Sequence, residues 1–157
     1  MANENALKKG IDCIGVCVVY YCHDGKGNLL LMKRSKNARD EQGTWDVGGG
    51  ALELFDSVDE TLRKEINEEY KTDVISYQFL NYRDVHRTLP NGQKTHWLAL
   101  DFIVQVDPTK AQIGEPHKFD ELQWCRLDNL PYPLHSQLMI SINQNKAKLI
   151  AILEKQE

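Results

Sequence analysis

Ile11 to Cys22 is rich in Val, Ile and Tyr, and a second apolar run, Asn28–Met32, follows the turn signal Asp24-Gly25-Lys26-Gly27-Asn28. The two runs read as a hairpin. Ser35–Gly43 is polar and charged, hence a loop, and Trp45-Asp46-Val47 then leads into three consecutive glycines, Gly48, Gly49 and Gly50. Glycines there free the backbone and permit close approach of a ligand or another chain. Ser57-Val58-Asp59-Glu60 carries the S-x-x-E capping pattern, after which Val58, Leu62, Ile66 and Tyr70 recur every fourth residue and draw one apolar stripe along a helix of about four turns. Thr72–Val85 reads as one or two strands, Leu89-Pro90-Asn91-Gly92 as a turn and His96–Val106 as a strand, most simply a hairpin. Leu122–Leu127 is a further short strand, and Asp128-Asn129-Leu130-Pro131 a helical turn stopped by proline. His135–Lys155 closes the chain as an amphipathic helix with Leu138, Ile142, Leu149 and Leu153 among its apolar positions. The order strands, helix, strands, helix predicts an α+β fold with a mixed sheet between helices.

Length and composition narrow this further. With 157 residues, 41% hydrophobic and 27% charged, the chain suits one compact domain, 1–157, with its core roughly over 11–150. A net charge of −4 with clustered acids disfavours a duplex nucleic-acid reader and makes cations better partners. No apolar run approaches the roughly 20 residues of a membrane span, and Met1–Gly10 is charged where a signal peptide needs an apolar segment. The expectation is a soluble, cytoplasmic protein without a membrane partner; a homodimer is left open. Cys13, Cys17, Cys22 and Cys125 form no C-x-x-C pair and read as reduced, mostly buried thiols. Disorder is expected only in the first several residues and the last two or three.

The segment richest in chemistry is Glu65-Ile66-Asn67-Glu68-Glu69. At about 100° per residue, positions i, i+3 and i+4 share an arc, so Glu65, Glu68 and Glu69 project from one side of the helix. Three anions within a turn repel one another, and the nearest cations, Arg63 and Lys64, precede the cluster. A divalent cation converts that repulsion into binding, and an all-oxygen set suits Mg²⁺ or Mn²⁺ better than zinc. The plain alternative is an exposed acidic helix face.

In this context Gly50–Thr72 resembles the Nudix box, the 23-residue signature G-x5-E-x7-R-E-U-x-E-E-x-G-U in which U is a bulky aliphatic. Glu65, Ile66, Glu68 and Glu69 anchor the register, which puts Gly50 on the first glycine and Asp56 on the isolated acid. Lys64 stands where the family has arginine, Asp56 where it has glutamate, Lys71 where it has glycine, Thr72 where it has an aliphatic residue, and Gly48 where many members have proline. Outside the box, Leu29–Arg34 looks like the family strand that ends in arginine, Gly43–Val47 like the tryptophan-bearing lead-in to its glycines, and Asp120–Trp124 with Leu130-Pro131 like its late acid, strand and turn.

The resemblance implies a Nudix-like α/β/α sandwich and hydrolysis of the diphosphate linkage of a nucleoside diphosphate derivative: a triphosphate, an oxidised nucleotide or a nucleotide sugar such as ADP-ribose. It implies Mg²⁺ or Mn²⁺ held by Glu65, Glu68 and Glu69, with these three sharing metal and base roles. Glu121 is a candidate additional acid, its alternative an exposed loop glutamate. Arg34 is a candidate phosphate contact, Gly49 and Gly50 permit the substrate's approach, and Lys64 keeps the family arginine's charge without its bidentate fork. Trp45, Tyr82 and Trp97 read as core aromatics before base-stacking ones. Two rival readings stand: a degenerate domain that binds nucleotide or RNA without cleavage, and, less favoured because residues 43–56 hold no cysteine, an isoprenoid-diphosphate isomerase-like protein.

Overall fold

The computed structural model describes residues 6–155. The disorder expected at the extreme ends falls largely on residues 1–5 and 156–157, outside the described residues. Seven strands, β1 (Gly15–His23), β2 (Leu29–Arg34), β3 (Trp45–Asp46), β4 (Gly48–Ala51), β5 (Val74–Thr88), β6 (Lys94–Val106) and β7 (Phe119–Cys125), form one mixed sheet; α1 (Val58–Tyr70) and α2 (Ser136–Glu154) complete the fold. β1 lies at its centre, parallel to β6 and antiparallel to β4, while β2 pairs with β3 and β7.

Each face of the sheet carries its own core. Period-two alternation sends Val18, Tyr20, Cys22, Phe102 and Val104 to one face, where Leu62, Ile66 and Tyr70 of α1 cover them. Tyr21, Leu29, Leu31 and Ile103 face the other way, under Leu138, Ile142, Leu149 and Leu153 of α2. The helical stripes and the α+β sandwich with a mixed sheet are as the apolar pattern predicts.

Three local expectations need correction. β1 and β2 share only the His23–Leu29 pair; beyond the turn they separate, because β4 takes the place beside β1 and β3 the place beside β2. Ile11 and Ile14 lie outside β1 and are exposed. Asp128 and Asn129 close a hydrogen-bonded turn, Asn129 N donating to Arg126 O at 3.0 Å, and Leu130-Pro131 follow it in irregular backbone, so the segment is not a helical turn. By contrast β5 is one long strand, joined to β6 through a turn in which Leu89 N donates to Gln93 O at 2.8 Å.

Both helix starts are capped by side chains. Ser57 Oγ accepts from Glu60 N at 3.1 Å while Glu60 accepts from Ser57 N at 2.7 Å, the reciprocal capping box. At α2 the His135 ring accepts from Gln137 N at 3.2 Å, and Glu41 accepts from Ser136 N at 2.8 Å. Loop 35–44 is thereby fastened to the start of α2. Among the described residues no helix is long and apolar enough to cross a membrane, and all four cysteines are free: Cys22 and Cys125 are buried, Cys17 is half-buried and Cys13 exposed.

Candidate active site

The glycine strand lets α1 approach the sheet. Gly48 pairs with Tyr20 and Gly50 with Val18. A Cβ on Gly50 would lie 2.2 Å from Glu65 Cδ, and one on Gly48 would lie 1.9 Å from the Tyr20 ring and 2.7 Å from a Glu69 oxygen. Real Cβ atoms do not approach so closely. The absent side chains make room for the carboxylates of Glu65 and Glu69.

The three helix acids meet different surroundings. Glu69 is buried, only 6% exposed, and accepts a hydrogen bond from the Tyr20 hydroxyl. Burial pushes its carboxyl up to about 8; Tyr20 and Lys118 oppose the rise, and the charges of Glu115 and Glu65 add to it. Glu65 is half-buried and is also raised, by burial first and by Glu68 next, against Lys64 and Lys118. Glu68 is exposed. One oxygen from each does not close within 4.8 Å: among the described residues two groups of three ligating side chains do so, and neither contains a helix acid.

A residue that the box does not contain joins them. Loop 107–118 docks on the end of α1 through Gln112 N to Tyr70 O at 2.9 Å and Gly114 N to Glu69 O at 2.8 Å. A Cβ on Gly114 would meet the Glu68 carbonyl oxygen at 1.9 Å, so only glycine fits. The docking brings Glu115 close enough to raise both Glu65 and Glu69, and sets Lys118 3.0 Å from Glu115. Burial alone would lower the Lys118 ammonium, but Glu115, Glu69 and Glu65 hold it above its usual range. Three carboxylates against one ammonium, in a space kept open by glycine, is a donor set that fits a hard divalent cation. Glu115 had no local signal beyond its place between Gly114 and Pro116.

Of these groups Glu69 and Lys118 border a cavity of about 680 Å³ that runs from them and Gly48–Gly50 across the α2-side face of the sheet to Arg83, Arg87 and Trp97. That volume suits a small-molecule ligand. Arg34 borders it and is bound to Asp40, 2.8 Å from the carboxylate. Arg87 holds Asp40 and Glu41, each at 2.8 Å, and His135 Nε2 meets Glu41 at 2.8 Å. Arg39 borders the cavity as an exposed cation. Gly49 and Gly50 line it as well, whereas Lys64 is exposed on α1, acting on Glu65 only through its charge. Glu121 is not brought to the cluster. Its neighbours Leu122 and Trp124 pack on the α1-side core, so alternation turns Glu121 to the opposite face, where it is 56% exposed and pairs with Lys33 at 3.2 Å. Of the three aromatics, Trp45 is buried in the α2-side core, Trp97 borders the cavity and Tyr82 is exposed.

The departures from the box have local explanations. Lys71 occupies the C-cap of α1 in the left-handed conformation, φ 54°, which is where glycine is favoured. Buried Thr72 satisfies its hydroxyl on Asp107 O at 2.6 Å. Asp56 sits exposed in the turn before the cap.

A NUDIX domain family model matches residues 13–146. The chain therefore belongs to the Nudix family, and it is a Nudix-type pyrophosphohydrolase. It is 25% identical over 124 residues to the nucleoside triphosphatase NudI of Klebsiella pneumoniae strain 342, covering 76% of this chain and 88% of that protein. Among solved structures, the MutT NUDIX hydrolase from Burkholderia pseudomallei aligns with TM-score 0.71 and 27% identity, over 83% of this chain and 96% of that one. The NUDIX domain of Shewanella oneidensis NrtR, crystallised with ADP ribose, aligns with TM-score 0.66 and 20% identity over 94% and 93% of the two chains, which is a likeness of fold.

Proposed function

We propose that this protein is a divalent-metal-dependent hydrolase that cleaves the diphosphate linkage of a nucleoside diphosphate derivative by attack of water at phosphorus. The observation that carries the reading is Glu69: a buried carboxyl raised to about 8, bordering the same cavity as the glycine strand and Lys118. Glu65, Glu68 and Glu69, with Glu115 beside them, would hold Mg²⁺ or Mn²⁺. When bound, such an ion neutralises phosphate charge and acidifies water. The chain's own groups do the rest. Lys118 and Arg39 offer cations to phosphate oxygens at the cavity edge, and Gly49 and Gly50 leave room for them. Arg34 and Arg87 fasten loop 35–44 through Asp40 and Glu41 and so shape the wall. Trp97 gives the cavity an aromatic surface on which a base can rest. A raised carboxyl next to the site accepts or returns a proton near neutral pH. Glu121, committed to Lys33, is left out of this reading.

Nucleoside triphosphates head the substrates to be tried, because the relative at 25% identity is named as a triphosphatase. The test is phosphate and pyrophosphate release across a panel of nucleoside triphosphates, oxidised purine nucleotides, ADP-ribose and other nucleotide sugars, with Mg²⁺, with Mn²⁺ and in excess chelator. Metal-dependent turnover of at least one member supports the reading. Turnover that survives the chelator, or binding of the whole panel without cleavage, overturns it.

A further inference from the structure

On the face of the β5–β6 hairpin, Asp84, His86 and His96 bring three ligating atoms within 4.8 Å of one another. The arrangement follows from strand geometry. Asp84 and His86 are two residues apart on β5 and share a face; His96 is the direct antiparallel partner of His86 on β6, and direct partners share a face too. His96 Nε2 lies 3.1 Å from Asp84 Oδ1, and the two imidazoles meet edge to face with centroids 4.2 Å apart. Two ligands about 2.0–2.1 Å from a tetrahedral ion stand roughly 3.3 Å apart, so the Asp84–His96 separation is already close to that of a chelating pair.

A second observation concerns the space beside them. His86 and His96 border a cavity of about 650 Å³ whose other wall is the segment Gly10–Ile14, including Asp12 and exposed Cys13. That segment is fixed to the hairpin by His96 N donating to Gly10 O at 2.8 Å. An ion held by the hairpin would thus keep coordination positions facing an open volume, available to water or to a donor from the wall.

The other ligating trio is differently placed. Asp40, Glu41 and His135 are equally close, but Arg34 and Arg87 already neutralise the two acids and Ser136 donates to Glu41. Among the described residues, the ion pairing at Asp84, His86 and His96 involves no arginine or lysine, only the Asp84–His96 contact.

We propose that Asp84, His86 and His96 form a binding site for a borderline divalent transition-metal ion, with Zn²⁺ as the reference ion, separate from the carboxylates of α1 and clamping β5 to β6 near their shared turn. Two imidazoles and one carboxylate favour Zn²⁺, Co²⁺ or Ni²⁺ over Mg²⁺, which demands oxygen donors.

The test is calorimetric titration of the chelator-treated full chain with Zn²⁺ alone, in buffer holding millimolar Mg²⁺ to compete at the α1 acids. One Zn²⁺ per chain is expected to bind despite the Mg²⁺. His86→Ala and His96→Ala should each weaken that binding at least tenfold, while Glu65→Gln leaves it unchanged. In the unaltered protein, imidazole NMR signals of His86 and His96 should shift on adding Zn²⁺ and recover with chelator, a readout that needs no variant to fold. Unshifted imidazoles, or Zn²⁺ binding that survives both histidine changes and is lost in Glu65→Gln, would overturn the proposal and leave a hydrogen-bonded surface pair.

Discussion

Tyr20 donates its hydroxyl to Glu69 across the buried junction of β1 and α1, tying one carboxylate of the signature helix into the core. Function and stability therefore pull in opposite directions at this residue. The raised carboxyl keeps its proton in the folded chain between the ordinary value of 4.5 and about 8, where the unfolded chain has lost it. Its contribution to stability is full below 4.5 and declines as pH rises through that window. Without metal, the protein should be less stable at pH 8 than at pH 5.5 by an amount that Glu69→Gln largely removes, because glutamine keeps an acceptor for Tyr20 and never ionises. Urea unfolding at the two pH values checks this, and the same variant should lose turnover by orders of magnitude. A Glu69→Gln protein less stable than its parent at pH 8 would contradict the assignment.

The two ends of the glycine strand should respond differently to a methyl group. At Gly50 the obstacle is the end of the flexible Glu65 side chain, which can swing aside. Gly50→Ala should lower activity by tenfold or more with a modest loss of stability. At Gly48 the obstacle is the ring of Tyr20, fully buried among core residues. Gly48→Ala should cost roughly 1–3 kcal/mol or more as an overpacked core does. Paired measurements of melting temperature and kcat/KM separate the cases.

Lys71 and Lys64 both depart from the family box, with different expected consequences. Lys71 holds a left-handed φ that glycine adopts without strain, so Lys71→Gly should stabilise by about 1 kcal/mol with activity unchanged. Lys64 acts on Glu65 through charge alone, and Lys64→Arg should leave activity equal or higher, since a guanidinium can brace a carboxylate with two bonds. Equilibrium unfolding and steady-state assays check both.

How much of the structure is legible in the sequence depends on how local each feature is. The capping box and the stripe Val58, Leu62, Ile66, Tyr70 are written within one helix and appear as written. The β5–β6 hairpin is equally local. The supposed β1–β2 hairpin was a question of which strands become neighbours, and nothing near residue 24 announces that β3 and β4 intervene. The site divides the same way. Periodicity put Glu65, Glu68 and Glu69 on one side of α1, but not Glu69 under Tyr20, nor Glu115 beside it, since both depend on long-range docking. The Glu121 expectation failed to account for alternation along β7, where its apolar neighbours claim the α1-side face.

Arg83 and Asp101 form a buried bidentate pair at 2.6 and 2.8 Å, and Asn145 of α2 adds a hydrogen bond to the same carboxylate at 2.8 Å. Removing Arg83 strands the charge of Asp101, whose side chain is 0% exposed. Arg83→Met should destabilise by about 3–5 kcal/mol, and adding Asp101→Asn should recover part of that loss. Chemical denaturation of the single and double variants tests the coupling; additive losses would show that the pair is not the unit.

Isotope labelling locates the bond that breaks. If water attacks phosphorus, turnover in ¹⁸O-labelled water leaves label on one phosphate-bearing product, and no phosphoryl-enzyme forms. The nearest hydroxyl after the glycine strand is Ser57, whose Oγ is engaged as the acceptor for Glu60 N. A serine held as a cap is not free to act as a nucleophile. Ser57→Ala should therefore lose roughly 1 kcal/mol of stability while turnover persists and labelling is unchanged. A trapped phosphoserine, or turnover abolished in a variant that still folds, would replace direct water attack with a covalent route.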